Sequence, residues 1–196
     1  VGRDGAAAVQ AARSSPGQVA TLILPSDASW SEGGEIAEPL HVPVTPQADA
    51  QAIEQSARIL RSGARVVFIL GGAALGAKAQ QQAARIQAKT GCRVVAQSIT
   101  AFTQRGRGRL PLEKIPYPVD HAIAFLKDAQ QIILVGSKGA LGFFAYPGKP
   151  AFHHPAEAQV HVLARVEQDC EGALRSLADL LGAPEVAIAE APKVAD

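Results

Sequence analysis

Residues 65–88, RVVFILGGAALGAKAQQQAARIQA, decide how the rest of the chain is read. Val66 to Leu70 is an unbroken apolar run, too short for a helix and rich in β-branched residues, so it predicts a strand covered on both faces. Gly71 and Gly72 follow at once. Without a Cβ they allow a sharp turn and bring the backbone close to whatever lies at the strand end, and a helix after Gly76 points its positive dipole end to the same place. In outline this is a nucleotide-site geometry. The spacing is G-G-x-x-x-G, not the G-x-G-x-x-G fingerprint, which favours a tight strand-to-helix turn in an α/β core over a phosphate cradle.

Working outward, the same alternation recurs. Asp49 is placed to cap a helix running to Arg61, with Ile53, Ala57 and Leu60 on one face and Gly63 ending it. After the central helix, Gly91 is a C-cap signal and residues 93–99 predict a second strand. A helix over 119–129, with Ile123 and Leu126 facing inward, precedes a strand at residues 131–135 (QIILV), and residues 159–164 predict a further one. A last helix over 167–181 carries Cys170, Leu174, Leu177 and Leu181 at helical spacing. The sum is an α/β fold, a Rossmann-like parallel sheet with helices on both faces. Strands joined through helices in this way require right-handed crossovers.

The ends read differently. Residues 2–15 are Ala-rich, with Asp4 placed as a cap and Pro16-Gly17 as a stop, and residues 19–24 (VATLIL) resemble a buried parallel strand. A lone helix and strand cannot bury themselves, so residues 1–33 are expected to be the closing unit of a truncated domain. Residues 34–48, with prolines at 39, 43 and 46, are an expected linker; 49–182 form the α/β domain and 183–196 a linker tail. Trp30 is either a contact hot spot or a pin for the linker. The chain starts at Val1 and contains no Met, which leads us to expect a part of something longer.

A length of 196 residues with 47% apolar content supports a substantial core. The net charge of +1 gives no general attraction to nucleic acid or to an anionic membrane, and neither is expected as a partner. No run approaches the roughly 20 apolar residues of a membrane span. Cys92 and Cys170 lack any ligand spacing and are expected to be reduced core thiols, which fits a cytoplasmic location.

Two irregular segments hold the remaining candidates. Residues 100–118 contain RGRGR, whose Arg105, Arg107 and Arg109 suit either a phosphate grip or, more simply, a solvated or partner-facing loop. Residues 139–155 hold Phe143, Phe144 and Tyr146, which either line a ligand pocket or anchor the loop to the core or to another subunit. The adjacent His153 and His154 do not share a face and make a poor metal pair. Asp120-His121 reads as a helix start beside an exposed histidine. No Ser/His/Asp grouping, H-E-x-x-H or Walker lysine is present to nominate a catalytic centre.

The order of these segments resembles the thiamine diphosphate-dependent enzymes of the acetolactate synthase, benzoylformate decarboxylase and benzaldehyde lyase group. SSPGQVATLILPSDASW is similar to that family's last pyrimidine-domain strand, ARILRSGARVVFILGGAALG to the start of its central domain, and AQQIILVGSK to a later central strand. GFFAYPGKP suggests the acetolactate synthase-like branch. The resemblance implies a parent enzyme, a transferase or lyase, that uses thiamine diphosphate and Mg2+ and assembles as a homo-oligomeric dimer or tetramer.

The family's cofactor-activating glutamate and its Gly-Asp-Gly magnesium motif belong to the pyrimidine- and pyrophosphate-binding domains. These domains are expected as partners of this segment, which is expected to be inactive alone. Some relatives bind FAD or ADP in the central domain. Here RGRGRLPLEKIP stands where flavin-binding members carry a different segment, which argues against FAD. Positions for a residual nucleotide are Gly71, Gly72, Gln97, Ser98, Gly136, Ser137 and Arg165, all expected at strand carboxyl ends. The rival reading is a self-sufficient FAD-, ADP- or NAD-type dinucleotide-binding domain. Against NAD, the second strand ends in Gln97-Ser98 where a ribose-binding acid is wanted.

Overall fold

The computed structural model describes residues 1–186, and the chain divides into two compact units, Val1–Pro46 and Gln47–Asp196. Most of the predicted tail, residues 187–196, lies outside the described residues.

In the first unit, α1 spans Gly2–Arg13 and α2 spans Ser26–Trp30. Asp4 does not cap α1 through its side chain; it pairs with the N-terminal ammonium at 3.2 Å. The following segment runs back along α1, where the Gln10 amide donates to the carbonyl of His41. Gly2 lies against the carbonyl of Glu35 so closely that a Cβ would not fit between them. The strand expected over 19–24 is not formed. Val19 and Ile23 are 94% and 85% exposed, and no ladder hydrogen bond joins them to a partner. The reason is physical: a parallel strand exists only by pairing, and among the described residues the first unit contains no other strand. Trp30 is likewise solvent-facing and pins nothing.

The second unit is the predicted α/β domain. Its elements are α3 (Ala50–Arg61), β1 (Val66–Leu70), a 3-10 turn (Gly72–Leu75), α4 (Ala77–Thr90), β2 (Arg93–Ala96), β3 (Glu113–Lys114), α5 (Val119–Leu126), β4 (Gln131–Val135), β5 (Gln159–Ala164) and α6 (Cys170–Leu180). The five strands are parallel in the order β3-β2-β1-β4-β5. β1 is therefore central, and all of its residues are buried.

Side chains alternate along it as the period of a strand requires. Val66, Phe68 and Leu70 join the core under α3, α4 and α6, while Val67 and Ile69 join a second core with Ala122 and Leu126 of α5. Burying Phe68, Ile69 and Leu70 contributes about 1.5–3 kcal/mol each.

Several boundaries depart from expectation. β2 stops at Ala96, because Gln97, although its N–H still donates to Leu70 at 2.9 Å, folds its side chain back onto the carbonyl of Ile99. The short β3 lies inside the segment expected to be irregular. It is fastened by Arg93, whose guanidinium bonds Glu113 at 2.8 Å and stacks over the ring of Phe125 at 3.9 Å. α5 ends at Leu126, three residues early, and α6 begins at Cys170, where Asp169 caps it. Asp49 stands at the N-cap of α3 but makes no side-chain bond there. Gly91 takes the left-handed conformation that its C-cap role predicts. The start of the expected linker tail is tied to α4: buried Arg85 bonds the carbonyl of Ala183 and the carboxylate of Asp179, both at 3.0 Å, and lies 3.3 Å from that of Glu185.

Candidate functional site

In an open parallel sheet the ligand crevice lies outside the strand carboxyl ends, where the chain switches direction. Here the switch is between β1 and β4, and the residues that follow them are Gly71 and Gly136. The structure brings these two together with Gln97. A Cβ built on Gly71 would sit 2.5 Å from both the Gly136 carbonyl oxygen and Gln97 Oε1. Conversely, a Cβ on Gly136, at φ +61°, would sit 2.6 Å from the Gly71 carbonyl oxygen and 3.0 Å from Cys170 Sγ. Two backbones thus meet where the sequence suggested a cradle.

The other candidates are arranged around this contact without converging on it. Gly72 opens the 3-10 turn with φ +47°. Ser98 follows Gln97 in the bend beyond β2. Buried Ser137 accepts a hydrogen bond from the N–H of Gly139 at 3.1 Å. Arg165 lies beyond β5, exposed and ion-paired to Glu167 at 3.2 Å, while its own N–H donates to Gln168.

Helix α4 does point its N-terminus toward this edge, but the first N–H is occupied. Gln104, from the segment before RGRGR, accepts the N–H of Ala77 with its side-chain oxygen. Its backbone is bound in turn: the fully buried Gln80 donates its amide to the carbonyls of Leu75 (2.6 Å) and Gln104 (2.8 Å), and the Gln104 N–H donates to Leu75 at 3.2 Å. Gln80 Oε1 is left without a partner. Neither glutamine was singled out by sequence reasoning. A glutamine in an irregular stretch carries no periodic or motif signal, and the arginines beside Gln104 drew the attention. At α6 the Asp169 carboxylate accepts the N–H of Gly172 at 2.9 Å.

The side chains around the crevice offer little chemistry. Cys170 and Cys92 are both free, as expected of core thiols, and burial pushes each thiol up to about 11. Neither is a nucleophile at neutral pH. His153, 4% exposed, is held below its ordinary value by burial and by the neighbouring charge of His154; its Nε2 has no partner. Among the described residues no three of His, Cys, Asp or Glu are grouped to hold a metal ion, and no helix is long and apolar enough to cross a membrane.

Of the predicted aromatic loop, Phe143, Phe144 and Tyr146 do not enter the core, while Gly139, Ala140, Phe152 and His154 line an apolar cavity together with Ile132, Leu134 and Val160. Phe143 and Phe144 pack edge-to-face at 4.7 Å, with Tyr146 and Tyr117 beside them, and all four stand at the surface. Lys149 ties this loop to α5 through Asp120, which thus serves as an ion-pair partner and not as the cap, a place held by Pro118. A cavity of about 380 Å³ lies at the opposite, amino edge of the sheet, lined by Arg65, Cys92, Arg93 and Asp128 among others, far from the strand ends that the sequence nominated.

Comparison with known proteins locates this arrangement. No protein-family profile matches the chain. Over 179 residues it is 37% identical to a Mycobacterium tuberculosis protein provisionally named acetolactate synthase large subunit IlvX, a match that covers 91% of this chain and 34% of that one. Two solved structures share the fold. One is a provisionally assigned thiamin diphosphate-dependent enzyme from Mycobacterium smegmatis (TM-score 0.55, 19% identity, 82% of this chain and 33% of that one). The other is a thiamine diphosphate-dependent 4-hydroxybenzoylformate decarboxylase from Rhodococcus jostii (TM-score 0.52, 18% identity, 80% and 32%). The chain spans about a third of the length of the proteins it matches. The resemblance to a segment of a thiamine diphosphate-dependent enzyme, read from the order of elements, is borne out. An independent dinucleotide-binding domain is not the favoured reading.

Proposed function

We propose that the chain is the central, spacing domain of a thiamine diphosphate-dependent enzyme of acetolactate synthase type, preceded by the closing piece of its pyrimidine-binding domain. Its work is to hold the two cofactor-binding domains at a fixed separation and to support subunit contacts; the chemistry, with thiamine diphosphate and Mg2+, belongs to the whole enzyme. The observation that carries this reading is the match of nearly the whole chain to about a third of a relative named for that activity.

Two structural features support it. Val19 and Ile23 form an apolar stretch with strand character and no ladder partner, as a strand parted from its own sheet would be. The aromatic cluster of Phe143, Phe144 and Tyr146 stays at the surface, where a neighbouring domain or subunit would cover it. No residue of this chain is assigned to thiamine diphosphate, and no catalytic step is derived for the segment alone.

The test is a chimera in which the chain replaces the matching third of the M. tuberculosis relative. The chimera is expected to assemble to the same subunit number and to hold the cofactor as the relative does, while the chain alone retains no thiamine diphosphate in equilibrium dialysis with Mg2+. Saturable binding of thiamine diphosphate by the chain alone would overturn the proposal.

A further inference from the structure

We infer that the switch-point crevice of this domain is sealed by its own residues, with the side-chain oxygen of Gln104 standing where a phosphate oxygen would be received, so that no FAD- or ADP-type diphosphate is held there. The inference rests on the position of Gln104, on the donors around it that are already bonded and on the close approach of Gly71 and Gly136, and is independent of the scaffold reading.

A nucleotide diphosphate at such an edge is held by backbone N–H groups at strand ends and helix N-termini. Several of these groups already have a protein acceptor. The Gly71 N–H donates to Val135 at 2.9 Å, that of Gly136 to Ala164 at 2.9 Å, and that of Gln97 to Leu70 at 2.9 Å. At the helix ends, the N–H of Ala77 goes to Gln104 Oε1 and that of Gly172 to the Asp169 carboxylate. The Gly139 N–H goes to Ser137 Oγ.

What the glycines turn toward each other is therefore carbonyl oxygen, which repels a phosphate. Their separation leaves no room even for a methyl group. At α6 an anion would also meet a carboxylate. The one side chain suited to a ribose, Gln97, is folded onto the carbonyl of Ile99 at 2.8 Å. The Gln104 backbone is held beside the start of α4 by Leu75 and by the wholly buried Gln80. A side-chain amide has taken the role of the anion at the helix start.

The experiment is amide-resolved NMR on the full chain. Gln104→Ala is expected to speed hydrogen exchange at Ala77 about tenfold, as a lost N-terminal cap does, and Gln104→Glu, which keeps the acceptor, to restore protection. In the unsubstituted chain, ADP or FAD up to about 1 mM should leave the amide resonances of Gly71, Ala77 and Gly136 in place and the melting temperature unchanged. Unchanged exchange at Ala77 in Gln104→Ala would overturn the inference. So would saturable ADP or FAD binding that shifts those three resonances.

Discussion

Replacing Gly136 by Ala tests whether the meeting of β1 and β4 is a true backbone contact. Two costs are superimposed at this position. Its φ of +61° is left-handed, which disfavours an L-residue by about 1–2 kcal/mol. The added Cβ would also fall 2.6 Å from a backbone oxygen of Gly71 and 3.0 Å from Cys170 Sγ, an overpacking of about 1–3 kcal/mol.

Two controls separate these terms. Gly91→Ala meets nothing within 4 Å at φ +71°, and so carries the conformational cost alone. Gly71→Ala has an ordinary extended φ of −144° and carries the contact cost alone, its Cβ lying 2.5 Å from the Gly136 oxygen. For a domain of this size each kcal/mol moves the melting temperature by about 2–4 °C, so Gly136→Ala should lower it by roughly 4–20 °C, and each control by less. Since Gly71 and Gly136 share one contact, the double variant should lose less than the sum of the two singles. Differential scanning calorimetry of the four variants reads this out. Equal losses in Gly136→Ala and Gly91→Ala, or strict additivity of the 71/136 pair, would refute the reasoning.

Other expectations follow from the packing. Arg85→Ala should lower unfolding stability by about 1–3 kcal/mol in urea, because it leaves the Ala183 carbonyl without its donor and removes the partner of Asp179. Both thiols, raised to about 11, should resist labelling by a thiol reagent at pH 8 in the native chain and react promptly in denaturant; fast native labelling of either would contradict their burial. Because the fold disfavours the charged form of His153, the unfolded chain takes up that proton first, and stability should fall as pH drops below about 6.5. His153→Phe should flatten that decline in a melting-temperature profile, and an unaltered slope would remove His153 as its source.

The parts of the fold legible in the sequence were those whose stability is written in apolar pattern. β1, β4 and the inner face of α6 are runs or stripes of apolar residues, and burial placed them where the pattern put them, while β5 buries only Leu163 and Ala164. The same logic misled over 19–24, since an apolar run records a tendency to be buried but not whether a pairing strand is present. β3 was invisible because two charged residues, Glu113 and Lys114, make up the strand, and Arg93 fixes its place from a distance.

Of the candidate site, the sequence located the glycines and the strand ends correctly at one edge. It could not show that the N–H groups of Gly71, Gly136 and Ala77 are already committed, because that depends on Val135, Ala164 and Gln104, which are distant in sequence and carry no motif.

The central claim, that this segment works inside a larger thiamine diphosphate enzyme, is tested most directly by reading the coding sequence on both sides of the codons for Val1 and Asp196. The account predicts that the frame continues in both directions, upstream into the body of a pyrimidine-binding domain with its glutamate and downstream into a domain carrying Gly-Asp-Gly. An initiation codon directly before Val1 and a stop directly after Asp196 would contradict it.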